Sequence, residues 1–395
     1  MRILFFLSYY TPYIGGAENA FIRLAEGLAR RNHEITVVTS RLPGTASNEV
    51  FNGVYVKRIS VPKWGDRYFL PLFSLWYMLR YLPRFDCVHT ASHCLTVTVY
   101  WMAKLYGCPI IFTSHEIIGN RWDNLCTNKG VSWLYQRIEK CIARLNYDHC
   151  VAVSQATLRD LVKIGIDESK ASVIYWGVDE VFAKGSHMGD MLLRQQLQIP
   201  SDSFLYVYFG RPGVTKGVDL LVEAAREINQ RIPNSHLMLI LGKEPHNLYL
   251  AICQRIKELN LRATVHLVPS ASSRVELVEM LREANCIVVP SVTEGFGFTT
   301  AEACALDIPV VATRTGAIPE VISGRHLLVK PGHIHALVEG VLRAARGDYD
   351  YTSPKQFHWQ MTLTAYEQLY ERVSHSISGR PLVLRESLKR ISRLS

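Results

Sequence analysis

Short apolar runs recur along this chain, and between them lie stretches with helical spacing. Residues 3–7 form a continuous apolar run and Gly15-Gly16 sit in the loop after it. Residues 17–31 then set Ala20, Phe21, Leu24, Ala25 and Leu28 on one helical face, and the next strand is expected at 34–39. Strands that are apolar on both faces belong to parallel sheets covered by helices on either side. Further runs lie at 87–89, 109–113 and 150–153. A second series starts at 204–209 and continues at 236–241, 264–267, 286–290 and 309–312. The pattern predicts an α/β protein with two Rossmann-like, doubly wound domains, which suits a length of 395 residues. The expected boundaries are 1–178, 179–355, and a segment 356–395. Within that last segment, Trp359, Leu363, Tyr366, Leu369 and Tyr370 have helical spacing.

Composition limits the alternatives. With 48% hydrophobic and 20% charged residues, the chain is neither disordered nor fibrous. Its nine cysteines include no pair at the spacing of a zinc knuckle or redox motif, so they read as reduced thiols of a cytoplasmic protein. The apolar start breaks at Ser8 and reads as a buried strand rather than a signal peptide. No apolar run reaches the length of a transmembrane helix. The net charge of +9 leaves three kinds of partner open: nucleic acid, a membrane surface or a phosphorylated substrate.

Ligands of open parallel sheets bind beyond the carboxyl ends of the strands, so the residues there carry the most information. Two such sheets facing each other would line one cleft. Glu294-Gly295-Phe296-Gly297-Phe298-Thr299-Thr300-Ala301-Glu302 follows a strand and opens a helix. Its glycines let backbone N–H groups approach a ligand, and a helix start favours anions and acceptors. Glu294 can accept hydrogen bonds from sugar hydroxyls, and Glu302 from a ribose. Thr299-x-x-Glu302 also has the spacing of a capping box, which alone would explain Glu302. Arg211 and Lys216 lie on the loop after the strand 204–209 and suit a diphosphate, one as a planar fork and one as a point charge. His115 ends the strand 109–113, where it can meet a substrate hydroxyl or serve only packing. Gly15-Gly16 open a helix without the dinucleotide fingerprint, which disfavours a nicotinamide or flavin site. Ser154 reads as a helix cap. There is no nucleophile elbow, zincin pair or Walker loop.

Taken together these residues resemble the retaining nucleotide-sugar glycosyltransferases of family 4, which have the GT-B fold. The resemblance runs from Gly15-Gly16-Ala17-Glu18 through His115, Gly177-Val178-Asp179, Gly210-Arg211 with Lys216-Gly217, and Glu294 to Glu302. It ends at Gly316-Ala317-Ile318-Pro319-Glu320. It implies that Arg211 and Lys216 bind the donor diphosphate and stabilise the departing nucleotide. Glu294 and the amides of Gly295, Phe296, Gly297, Phe298 and Thr299 would hold the donor sugar, and Glu302 the ribose. His115 would touch the sugar, and Gly15-Gly16 the diphosphate or acceptor. The helix near 357–373 would cross back to the first domain. No metal and no resident cofactor are implied; the nucleotide-diphosphate sugar is a substrate. The implied acceptor is a lipid-linked or cell-surface polysaccharide intermediate. An epimerase or phosphorylase on the same fold stays open, as does a non-catalytic nucleotide-sugar-binding protein.

The charge has an address. Residues 1–178 carry 20 Lys/Arg against 13 Asp/Glu, and the tail 379–395 carries 5 against 1. The aromatic, basic stretch 63–84 and that tail suit peripheral contact with an anionic membrane on the cytoplasmic face, or simply a buried helix and a solvated tail. No nucleic-acid module is present, so that partner is not expected. The sequence leaves oligomeric state open.

Overall fold

The computed structural model describes residues 1–13, 15–62, 66–91, 93–126, 128–183 and 192–375. It divides into two compact units, Met1–Gly177 together with the segment from Trp359, and Val178–His358. The unit borders thus fall at 177/178 and 358/359, one and three residues from the expected ones. Residues 63–65 of the basic stretch and the basic tail lie outside the described residues.

The first unit runs β1 (Arg2–Phe6), α1 (Gly16–Arg30), β2 (Glu34–Ser40), β3 (Asn48–Phe51), β4 (Val54–Ile59), α2 (Asp66–Phe73), α3 (Leu75–Tyr81) and β5 (Cys87–Thr90). It continues α4 (His93–Tyr106), β6 (Ile110–Ser114), α5 (Trp122–Leu125), α6 (Lys129–Ala143), β7 (His149–Ala152), α7 (Gln155–Lys163) and β8 (Ala171–Val173). The strands form one sheet in the order β3-β4-β2-β1-β5-β6-β7-β8, parallel except for β3. Alternation along β1 divides the core. Leu4 and Phe6 pack with Val88, Val99 and Phe112 under the helices α2 to α4, α6 and α7. Phe5 points the other way, against Phe21 of α1 with ring centroids 5.8 Å apart. Ser154 caps α7, its Oγ accepting the Thr157 N–H at 3.0 Å.

The second unit runs α8 (Leu192–Gln196), β9 (Phe204–Gly210), α9 (Val218–Arg231), β10 (Ser235–Leu241), α10 (His246–Glu258), β11 (Val265–Pro269), α11 (Arg274–Arg282) and β12 (Cys286–Val289). It ends α12 (Phe298–Ala305), β13 (Val310–Thr313), α13 (Ile318–Val321), β14 (Gly324–Val329), α14 (Ile334–Ala345) and β15 (Asp350–Thr352). Its order is β11-β10-β9-β12-β13-β14-β15, parallel except for β15. The strand order reverses between β9 and β12, the place where open α/β sheets leave a crevice beyond their carboxyl ends. In the first unit the reversal lies between β1 and β5.

The last described helix, α15 (Trp359–His375), belongs to the first unit. Gly27 of α1 carries no Cβ, and one there would collide with Leu363 of α15. Glu367 accepts hydrogen bonds from Arg31 at 2.8 Å and pairs with His33 at 2.7 Å. Burial also traps a polar chain: His89 of β5 hydrogen-bonds Tyr370 and Thr113, each at 2.7 Å, and Thr113 bonds Tyr366 at 3.1 Å. Both ring nitrogens of His89 are satisfied, and the ring has no solvent exposure. Burial foremost, and then the neighbouring His115, push its pKa down to about 3.

Candidate active site

Three loops of the second unit, those after β9, β12 and β13, converge on Glu294. The loop after β12 carries it, and its backbone is fastened on both sides. Val292 N–H donates to the Thr215 carbonyl at 2.8 Å, which ties this loop to the one after β9. Ala317 N–H donates to the Glu294 carbonyl at 3.0 Å, and Thr315 Oγ1 to the Val292 carbonyl at 2.9 Å. Gly316 has φ +49°, and a Cβ there would strike the Glu294 carbonyl, so only glycine fits. Gly217 is held likewise, at φ +64° against the Pro290 carbonyl.

This fastening brings together side chains that are far apart in sequence. Lys216 Nζ donates to Glu294 Oε2 at 2.8 Å, and Ser291 Oγ donates to the same oxygen at 3.1 Å. The Glu294 side chain is 12% exposed and that of Lys216 37%. The ammonium has three donors, so two remain for an anion after Glu294 takes one. Arg211 sits on the exposed rim of the same loop, its carbonyl held by the Tyr208 hydroxyl at 3.0 Å. Both loops flank the β9/β12 reversal, where a diphosphate would meet two cations and the start of a helix.

Gly297 is the N-cap of α12, at φ +92°, without a side-chain cap. The capping-box explanation of Glu302 therefore fails, because Thr299 already lies inside the helix. Glu302 is instead buried and paired with Arg274, Nη1 to Oε1, at 2.7 Å. Burial raises its carboxyl to about 7; Arg274 works against that rise, and Asp179 adds to it. Arg274 is the first residue of α11 and stacks over Phe182 at 5.6 Å. Its position follows from a cap that the sequence does display. Ser273 Oγ accepts the Glu276 N–H at 3.1 Å, and Glu276 accepts the Ser272 N–H at 2.6 Å. Arg274 is the site residue the motif reading missed.

The other residues of the block divide by role. Phe296 is 3% exposed and packs edge-on against Phe298 and Phe357, with centroids 4.9 and 5.4 Å away. Its side chain is core, which leaves the backbone of Gly295, Phe296 and Gly297 to face a ligand. Phe298 and Thr299 are half-buried in the first turn of α12.

In the first unit, Gly15 is the N-cap and Gly16 the first residue of α1, beyond the carboxyl end of β1 at the strand-order reversal. His115 follows β6. Its ring stacks on Trp176 at 5.8 Å and meets Phe21 of α1 edge-on at 5.6 Å. Trp176, fully buried, also stacks on Tyr366 at 5.5 Å, so the chain's exit from this unit is fixed to α15.

Comparison with known proteins points the same way. Residues 14–182 match the family Glycosyltransferase Family 4, and residues 191–357 match Glycosyl transferases group 1. The chain is 27% identical over 311 residues to the D-inositol 3-phosphate glycosyltransferase of Corynebacterium jeikeium, covering 73% of each protein. The structure is similar to sucrose-phosphate synthase from Thermosynechococcus elongatus, with a TM-score of 0.78 at 20% identity over 95% of this chain and 100% of that one. It is also similar to Anabaena HepE in complex with UDP-glucose, at TM-score 0.71 and 18% identity over the full length of both.

Proposed function

The chain belongs to glycosyltransferase family 4 and has the two-domain GT-B fold, and from that premise we propose that it moves a sugar from a nucleotide-diphosphate sugar to an acceptor hydroxyl, with retention at the anomeric carbon and without a metal. One observation carries the reading: Lys216, Glu294 and the start of α12 meet at the β9/β12 reversal. Arg211 and Lys216 bind the diphosphate and stabilise the charge that grows on it as the glycosidic bond breaks. Glu294, held by Lys216 and Ser291, orients the sugar hydroxyls, and the amides at the start of α12 add donors. Glu302 accepts the ribose hydroxyls, positioned by Arg274. His115 and Gly15-Gly16 supply the first unit's contacts to substrate. A base-and-nucleophile scheme is not required, because leaving-group stabilisation and positioning lower the barrier directly.

We take the acceptor to be a lipid-linked or cell-surface polysaccharide intermediate. One relative is named for a phosphorylated acceptor, inositol 3-phosphate, and one solved neighbour holds UDP-glucose. Among the described residues no helix is long and apolar enough to cross a membrane.

A thermal-shift screen of nucleotide-diphosphate sugars tests the donor. The expected result is stabilisation by one nucleotide sugar, growing with its concentration. No shift with any of them removes the reading. Incubation with the stabilising sugar alone separates the alternatives. An epimerase converts it without an acceptor, whereas a transferase gives only slow hydrolysis.

A further inference from the structure

Three neighbouring helices of the first unit wear their apolar residues on the outside. In α4, Val97, Trp101 and Leu105 recur every four residues and all are exposed, Trp101 by 63%. In α6, Leu134 and Ile138 are exposed, and Trp133 is exposed by 58%. The inward face of α6 is partly polar. Ser132 bonds Asp123, and Glu139 accepts the Ile118 and Gly119 N–H groups at 2.9 and 2.7 Å. In α3, Trp76 is exposed by 68%, with Leu79 beside it. Helix α4 packs against α3 on one side and α6 on the other, and all three lie on the same face of the sheet. An ordinary surface helix turns its polar face outward. Here the apolar stripes face out on three adjoining elements, which marks an interaction surface.

The charge on these helices identifies the partner. Arg80, Lys104, Lys129, Arg137 and Lys140 lie on them. Their one carboxylate is the buried Glu139. Arg137 lies over the Trp133 ring at 5.3 Å; Lys104, over Tyr100 at 5.5 Å, already pairs with Asp148 at 3.0 Å, so Arg80, Lys129, Arg137 and Lys140 are the cations this face offers. Two copies of this face set together would oppose cation to cation with no exposed carboxylate on the three helices to pair them, and the exposed Asp123 beside α6 is already engaged by Ser132 and Gln136. Tryptophan bodies edged by Arg and Lys instead match the boundary between acyl chains and anionic headgroups.

We propose that the outer face of α3, α4 and α6 docks the protein on an anionic lipid surface. The helices lie in the interface plane, with Trp76, Trp101 and Trp133 entering the acyl boundary and the cations meeting headgroups. The proposal rests on these stripes and not on the sugar-transfer reading.

The test is co-sedimentation of the full chain with phosphatidylcholine vesicles, with and without phosphatidylglycerol, at low and high salt. Brominated acyl chains serve to quench tryptophan. The expected result is binding to the anionic vesicles that salt weakens, quenching by bromines near the headgroup boundary, and at least tenfold weaker binding by Trp101→Asp/Leu134→Asp. Both positions are exposed, so this variant keeps its circular dichroism and its stabilisation by nucleotide sugar. Three results overturn the proposal: no sedimentation of the wild-type chain, wild-type binding by the variant (which assigns the contact to the basic tail), or a dimer that the variant dissociates. Loss of the nucleotide-sugar shift with vesicle binding retained would count against the sugar-transfer reading alone.

Discussion

At the scale of single residues, the two ion pairs of the candidate site, Lys216–Glu294 and Arg274–Glu302, do different work. Lys216 is partly exposed and little of the fold depends on it, so Lys216→Ala should lower kcat/KM by about 10²–10³ while the melting temperature changes little. Steady-state kinetics beside a thermal melt decides this, and near-normal turnover would remove Lys216 from the site. Glu302 is the opposite case. Its folded carboxyl, at about 7, lies above the ordinary value near 4.3. The folded state therefore holds that proton more tightly than the unfolded chain does. Stability from this group is fullest below about pH 4 and is lost as pH rises through about 7. Arg274→Ala removes the cation that opposes the rise. Arg274 is 41% exposed, so the effect is modest: near wild-type stability at pH 4.5 and a deficit of about 1 kcal/mol at pH 8. Urea titrations at the two pH values measure it; an equal deficit at both would show that the pair carries no such linkage.

At the scale of elements, the loops are shaped by backbone as much as by side chains. Gly316→Ala puts a Cβ into the Glu294 carbonyl from a left-handed position. The expected cost is about 1–3 kcal/mol of stability, with a fall in kcat/KM because the Glu294 loop must move. Ser154→Ala removes the cap of α7 in the first unit. It should cost about 1 kcal/mol and leave kcat/KM alone. The two variants together separate loss of site geometry from loss of stability. Strands buried on both faces were legible from their apolar runs. The hairpin of β3 and β4 was not, because β3 is an exposed edge strand and Arg58 interrupts the apolar alternation of β4. Arg58 is 2% exposed and is neutralised by Glu49 at 2.6 Å, a partner that only the folded hairpin supplies.

At the scale of the whole chain, α15 fastens the C-terminal segment to the first unit through His89, Thr113, Tyr366 and Tyr370. This network carries a pH signature. The unfolded chain takes up the His89 proton near pH 6.5, and the folded chain only near pH 3. Stability from neutral His89 is complete above about pH 6.5 and falls by about 1.4 kcal/mol per pH unit below it, until about pH 3. His89→Gln should be less stable than wild type at pH 7, yet lose less stability between pH 7 and pH 5. Denaturant midpoints at both values check this, and an unchanged slope would mean that His89 is not the group responsible. Tyr370→Phe leaves one ring nitrogen unpaired and should cost about 1–3 kcal/mol.

The sequence by itself determined the parallel α/β class, the second series of strands, and the candidate residues at Arg211, Lys216, Glu294 and Glu302. Each of these is written in local periodicity or in a loop of a few residues. It also displayed the cap that places Arg274, although not that residue's partner. Only the tertiary structure decided that Lys216 and Glu294 form an ion pair, that Glu302 answers to Arg274 rather than to a helix cap, and that Tyr366 and Tyr370 of α15 close a buried network with Thr113 and His89. It alone decided that the apolar stripes of α4 and α6 face outward. The physical reason is common to all four. Periodicity says that a helix has an apolar face, and a motif says that a loop carries charge. Which surface that face meets, and which opposite charge the loop finds, depends on strand order and burial, and these join residues dozens to hundreds of positions apart.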